Sequence, residues 1–333
     1  MNTDRFLALL GTPAPSGEEG GMAALLRRLL PEYEVTVDAL GSVLVTVKKQ
    51  GKQHLLLEAH MDQVGFVVTE VLPEGFLKLA PVGGIDPRLM PNTRLRFLNG
   101  DVIGVVCTVP PHLKQGEKDK VLPVTECLVD VGPDRAAVIH VGDRAVYSEG
   151  AVRFSDGTIA APALDNRAGM AVLLETIDRL RGYDGPYAIS ALFAVREEVG
   201  NAGGAVTGAF ALSPDFSVAV DVSFAAQPGV QPHQCGKPGE GPMVGFAPAL
   251  DTAMSLAFVQ VAQAEGLPVQ REIMAGDTST DADGILSVGC GVRTGLLSVP
   301  IRNMHGPLET VRPSDIEHTA ALLDAAVRKG VLA

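Results

Sequence analysis

The chain has 333 residues, 46% of them hydrophobic and 20% charged, which is enough for one large domain plus a smaller one. Its net charge of −12, with no block of five or more basic residues, excludes a nucleic-acid partner, because phosphate backbones are held by clustered Lys and Arg. No stretch nears the ~18 apolar residues of a membrane span, and the four cysteines (Cys107, Cys127, Cys235, Cys290) contain no CxxC pair, so neither a disulfide framework nor a thiolate zinc site is expected.

The only apolar run near the front, Phe6–Leu10, is too short for a secretory leader, and the expected compartment is the reducing cytoplasm. A short helix is predicted over 3–10. Ser16-Gly17-Glu18-Glu19 has the spacing of a capping box ahead of an amphipathic helix at about 17–31. Strands are predicted over 34–38, 43–48 and 54–59, the last an apolar run, Leu55-Leu56-Leu57, that ends in the polar group Glu58-Ala59-His60. Between about 66 and 157 the texture changes to short strand-like runs broken by Gly and Pro. These include a hairpin signal at Asn99-Gly100 and a polar segment, Lys114–Lys120, expected to be an exposed loop.

From about 158 strands and helices alternate: helix 166–181, strand 187–195, helix 202–209, strand 216–220, helix 250–265, strands 269–273 and 292–299, and a closing helix 314–328. Such alternation predicts an α/β fold: a mainly parallel sheet sandwiched by helices, with a small all-β, barrel-like domain inserted. The division that follows is 1–65 plus 158–333 for the larger domain and 66–157 for the insert.

Chemistry-bearing residues collect at the predicted strand ends. His60-Met61-Asp62 follows the Leu55–Leu57 run, and Asp165 precedes a helix. Glu197-Glu198 follow strand 187–195, Asp221 ends strand 216–220, and His305 follows strand 292–299. Each has an ordinary role when taken singly: a surface His, a helix cap, an exposed acidic pair, a loop capper, a turn residue. Parallel strands, however, present their C-terminal ends on one rim, where α/β sheets hold ligands. Two His and several carboxylates converging there make a mixed nitrogen and oxygen site suited to zinc, cobalt or manganese. The remaining histidines (His54, His112, His140, His233, His318) read as structural or exposed, and Cys235 and Cys290 as buried small apolar residues. A glycosidase is disfavoured: aromatics are 5% of the chain and Trp is absent, so a sugar platform is lacking.

Five segments together resemble the metal-site motifs of the tetrahedral aminopeptidases, the glutamyl and deblocking enzymes of which some have been labelled endoglucanases. They are His60-Met61-Asp62-Gln63-Val64-Gly65, Ala163-Leu164-Asp165-Asn166-Arg167, Arg196-Glu197-Glu198-Val199-Gly200, Val220-Asp221-Val222-Ser223 and Met304-His305-Gly306-Pro307. The resemblance spans almost the whole chain in the family's order, and extends to Pro111-His112-Leu113 and Thr280-Asp281-Ala282. It implies a metal-dependent aminopeptidase with a phosphorylase-like, zinc-peptidase-like fold and peptide substrates. It also implies two divalent ions, zinc first, in a large homo-oligomer, often of twelve subunits, joined through the insert. By the same resemblance His60 and Asp221 hold one metal, Glu198 and His305 the other, and Asp165 bridges them. Glu197 is then the general base, Asp62 orients His60, Asp165-Asn166 is a cis peptide, and Thr280-Asp281 shape the site wall. A carboxypeptidase or an N-acyl-amino-acid deacylase on the same scaffold is the alternative.

Overall fold

A computed structural model describes residues 1–109, 112, 121–200, 202–232 and 235–332. Lys114–Lys120, Pro111, Leu113 and His233 lie outside the described residues.

The strands of the larger sheet are β1 (Glu34–Val37), β2 (Val43–Lys48) and β3 (Gln53–His60), then β10 (Val152–Arg153), β11 (Ile159–Ala161), β12 (Tyr187–Ala194), β13 (Phe216–Phe224), β14 (Met243–Phe246), β15 (Gln270–Ile273), β16 (Arg293–Arg302) and β17 (Glu309–Val311). Their order is β1-β2-β12-β3-β13-β16-β17-β11-β10, with β14 and β15 branching from β16. The centre, β12-β3-β13-β16, is parallel, and antiparallel strands flank it. Central strands buried on both faces are apolar throughout rather than alternating, and β3 shows why. Leu55 and Leu57 face one helical layer while Leu56 faces the other, and all three are fully buried. Each such side chain contributes about 1.5–3 kcal/mol through burial.

The first layer holds α1 (Thr3–Leu10), α2 (Gly20–Leu29), α4 (Leu164–Arg179), α6 (Thr252–Glu265) and α8 (Pro313–Lys329). The second layer is thinner, made of α5 (Gly203–Leu212) and α7 (Asp281–Ile285). Among the described residues no helix is long and apolar enough to cross a membrane.

The small unit is a closed antiparallel barrel of six strands in the order β4-β5-β8-β7-β6-β9, formed by β4 (Gly65–Val71), β5 (Phe76–Val82), β6 (Arg94–Phe97), β7 (Val102–Val106), β8 (Leu128–Asp130) and β9 (Arg144–Tyr147). The helix α3 (Pro133–Ala136) lies between β8 and β9. In β7 buried and exposed residues alternate, the period of a sheet with one wet face. Phe66 and Tyr147 meet edge to face inside the barrel, with ring centroids 5.4 Å apart. Val152–Arg153 already pair with the larger sheet.

Several local expectations change. Ser16 does not cap α2, which begins at Gly20: the Ser16 hydroxyl donates instead to Asp62 Oδ2 at 2.6 Å, and Glu19 accepts from Gly17 N–H. The Asn99-Gly100 turn is not a two-residue loop. Phe97 pairs with Val102, leaving four residues between the strands, with Gly100 and Asp101 both at positive φ. Cys290 is exposed and Cys235 half-buried, so neither is a core residue, and all four thiols are free.

Arg167, on α4, is fully buried and ties three separate segments together. Its guanidinium donates to the Met61 carbonyl at 2.7 Å, Gln63 Oε1 at 2.9 Å, the Leu9 carbonyl at 3.2 Å and the Thr12 carbonyl at 3.3 Å. Burial lowers its pKa to about 10 against the pull of Asp62 and Glu309, so it stays charged at neutral pH. Arg167→Met keeps much of the volume but orphans these acceptors. We expect it to cost about 3 kcal/mol of stability, read as a lower denaturation midpoint.

Candidate metal centre

All but one of the side chains of the centre come from the C-terminal half or end of the parallel strands, and Asp165 comes from the start of α4. His60 is the last residue of β3, and Glu197-Glu198 lie just past the end of β12. His305 follows β16 by three residues. Asp221 does not end its strand: β13 continues to Phe224, because Asp221 pairs in register with Ser298 of the longer neighbour. Asp165 opens α4, but its backbone is not helical, and the peptide to Asn166 is cis, as the resemblance implied.

These five residues form two triads that share one member. His60, Asp165 and Asp221 offer ligand atoms within 4.8 Å of one another, and so do Asp165, Glu198 and His305. Asp165 Oδ1 lies 3.1 Å from His60 Nε2, while its Oδ2 lies 3.3 Å from His305 Nε2. His60 Nε2 is also 3.5 Å from Asp221 Oδ1, and His305 Nε2 is 3.3 Å from Glu198 Oε2. One carboxylate thus turns an oxygen to each cluster. Glu197 belongs to neither triad but lines the same cavity of about 330 Å³, together with Thr280, Phe224 and Met304.

The electrostatics show what the cluster lacks. Burial pushes Glu198 and Asp221 up, with Asp165 adding to both, and pushes Glu197 up to about 8. Burial disfavours both imidazolium ions, yet Glu197, Asp165 and Asp221 raise His60 well above its ordinary value, and Asp165 and Glu198 raise His305 to about 9. Asp165 is held below its usual range: burial opposes ionisation, and hydrogen bonds to His305 and His60 overcome it. A set of buried acids pushed toward protonation and histidines pushed toward the cation is short of positive charge. Glu198 Oε1 and His60 Nδ1 are also buried without hydrogen-bond partners. Divalent cations fit this donor set, since they supply the missing charge and take both imidazole and carboxylate ligands.

The surrounding shell is dense. Asp62 is fully buried; it accepts from the backbone N–H of Glu197 (3.1 Å) and Glu198 (3.2 Å) and from Ser16, and lies 3.5 Å from His60 Nδ1. It therefore holds the Glu197-Glu198 turn as well as facing His60. Glu309 was missed in the sequence. Its Oε2 accepts from Asp165 N–H at 2.9 Å and its Oε1 from His305 N–H at 2.6 Å. That second bond holds His305 at φ +61°, a left-handed conformation that costs a non-glycine residue about 1 kcal/mol or more. Glu58 was also missed: it is buried beside Asp281, and burial raises both carboxyls, Asp281 to about 7. Asp281 is buried and does not line the cavity, whereas Thr280 does. Of the other histidines, His54 bonds Ser190 at 2.9 Å, His112 and His140 are exposed, and His318 is half-buried.

The barrel reaches the centre through the loop after β5. A Cβ on Gly84 would lie 2.9 Å from His305 Nδ1, so only glycine lets this loop lie against the ring. We expect Gly84→Ala to displace His305 and lower metal affinity about 10- to 100-fold, read by competition with a chelating dye.

Sheet, barrel and rim give an α/β fold with a candidate metal centre, and comparison with known proteins supplies the class: an aminopeptidase of the metallopeptidase type. The chain belongs to the M42 glutamyl aminopeptidase family, whose model matches residues 41–322. It is 29% identical to the lysyl aminopeptidase of Pyrococcus furiosus over 96% of this chain and 95% of that one. Among solved structures it is similar to the TET aminopeptidase of Thaumarchaeota archaeon SCGC AB-539-E09 (TM-score 0.92, 27% identity, 98% and 96% of the two chains). It is also similar to the Pyrococcus horikoshii TET1 peptidase, which can assemble into a tetrahedron or a large octahedral shell (TM-score 0.86, 26% identity, 97% and 98%).

Proposed function

We propose that this aminopeptidase works through a dinuclear centre in which His60 and Asp221 hold one divalent ion, Glu198 and His305 hold a second, and Asp165 bridges them. The carrying observation is the Asp165 carboxylate, which points one oxygen into each triad. Three ligand carboxylates plus Glu197 carry four negative charges, which two divalent ions balance. The nitrogen and oxygen donors suit zinc, with cobalt or manganese as alternatives.

When bound, the metals polarise the scissile carbonyl and make a water acidic enough to attack at neutral pH. The rest is done by the chain itself. Glu197, facing the cavity and committed to neither triad, takes the proton of the attacking water and delivers it to the leaving amine. Asp62 fixes Glu197 by accepting from its backbone N–H, so the carboxylate is aimed by a buried partner. Glu309 fixes Asp165 and His305 in the same way. A peptide seated with its free N-terminus in this cavity has its first peptide bond at Glu197, which makes the enzyme an exopeptidase.

The proposed assembly is a homo-oligomer joined through the barrel, by likeness to the TET1 shells and with as many as twelve chains. Ile103 and Val105 on β7 and Val141 beyond it are 42–66% exposed apolar residues on the barrel surface that such an interface would cover. The proposed setting is the cytoplasm.

The deciding assay compares aminoacyl-anilides carrying a free α-amine with their N-acetylated forms. Cleavage of the free amines at least tenfold faster is expected. Faster cleavage of the blocked substrates points instead to a deacylase on the same scaffold and overturns this reading.

A further inference from the structure

We infer that the groove beside the cavity, between the barrel and the catalytic unit, is a carboxylate-binding subsite formed by Arg144 and Arg196, which selects peptides bearing a carboxylate downstream of the scissile bond. This rests on the reading of the neighbouring cavity as the site of peptide cleavage.

The groove has a volume of about 770 Å³ and shares Glu198 and Gly200 with the cavity, so the two are neighbours. Its remaining walls come from the loop before α2, where Gly17 lies, from the end of β5 and from the turn after β12. Arg144 enters from β9 and Arg196 from the residue before Glu197, at φ +64°. Eight of the eighteen arginines on this acidic chain have carboxylate partners: Arg5, Arg88, Arg94, Arg96, Arg181, Arg293, Arg312 and Arg328. Arg144 and Arg196 have none within 4.0 Å among the described residues. Arg144 donates through Nη1 to the Gly142 carbonyl at 2.8 Å, and its Nε is buried without a partner. Glu19 feels the charge of Arg196, but its carboxyl is raised by burial and its Oε1 is already taken by Gly17 N–H.

The polarity matches a short zwitterionic peptide. The cavity carries Asp165, Glu197, Glu198 and Asp221, and no guanidinium stands among its lining residues. The groove next to it carries two unpaired guanidinium groups, each able to make charge-assisted, forked contacts with a carboxylate. A peptide with its ammonium end in the cavity and a carboxylate in the groove satisfies both. The carboxylate has two possible sources, the C-terminus of a short peptide or an Asp or Glu side chain just past the cleaved bond.

The test uses the full-length, metal-loaded protein and three substrates: Leu-Gly-Gly with a free C-terminus, its C-terminal amide, and amidated Leu-Gly-Glu. The free acid is expected to exceed the amide about tenfold or more in kcat/KM, chiefly through KM. In Arg144→Gln and Arg196→Gln the ratio of acid to amide should fall toward one. Recovery by amidated Leu-Gly-Glu assigns the groove to any downstream carboxylate, and its failure to recover assigns it to the chain end. Where a variant does not fold, the wild-type preference should still fade as ionic strength is raised to about 1 M. Equal turnover of acid and amide by the wild type, a salt-insensitive preference, or a preference that survives both substitutions overturns the proposal. Cleavage of none of the three, acid or amide, counts against the peptidase reading of the cavity instead.

Discussion

Glu197→Gln is expected to lower kcat by about 10²- to 10⁴-fold, the range lost when a positioned general base is removed, while bound metal stays at the parent level. The reason is the separation of duties in the cavity: Asp165, Glu198, Asp221 and the two histidines make the triads, and Glu197 faces the same space without joining either. Gln keeps the shape and the backbone bond to Asp62 but cannot accept the water's proton. Metal analysis and single-turnover rates on one preparation separate the effects. A variant that turns over normally removes Glu197 from the proton path, and one that loses its metal makes Glu197 a ligand.

Asp165→Ala is the second large effect. Because this one carboxylate belongs to both triads, its loss should empty both rather than one, with kcat/KM falling by about 10³-fold or more. Asp221→Ala and Glu198→Ala, each confined to one triad, should each weaken one class of bound ion first. Titration calorimetry on the three variants distinguishes these patterns: retention of one tight ion in Asp165→Ala contradicts a bridge. Chelation of the parent protein should also lower its melting temperature, since ions that bind only the folded chain stabilise it by mass action.

The rim was legible in the sequence for a physical reason. Buried parallel strands must be apolar throughout, so polar groups at the end of an apolar run, such as Glu58-Ala59-His60, mark the place where a strand leaves the core. Residues that were read wrongly or missed depend on non-local partners. Asp221 reads as a strand stop, yet β13 continues because β16 pairs with it past that point. Ser16 has capping-box spacing, but a buried acid 46 positions away takes its hydroxyl. Glu309, between Leu308 and Thr310, looks like an exposed charge on an edge strand. Its role comes from two backbone N–H groups, one of them 144 positions away, and backbone donors carry no sequence signature. Gly84 belongs to the same class, since its value lies in the absence of a Cβ beside His305.

All of this depends on the five rim side chains clasping cations. The measurement that bears on it most directly is metal content per chain, followed alongside turnover as chelator-stripped protein is titrated with zinc. We expect activity to return in step with binding and to level off at two ions per chain. A correctly folded protein that cleaves peptides at full rate with no divalent ion bound would contradict it.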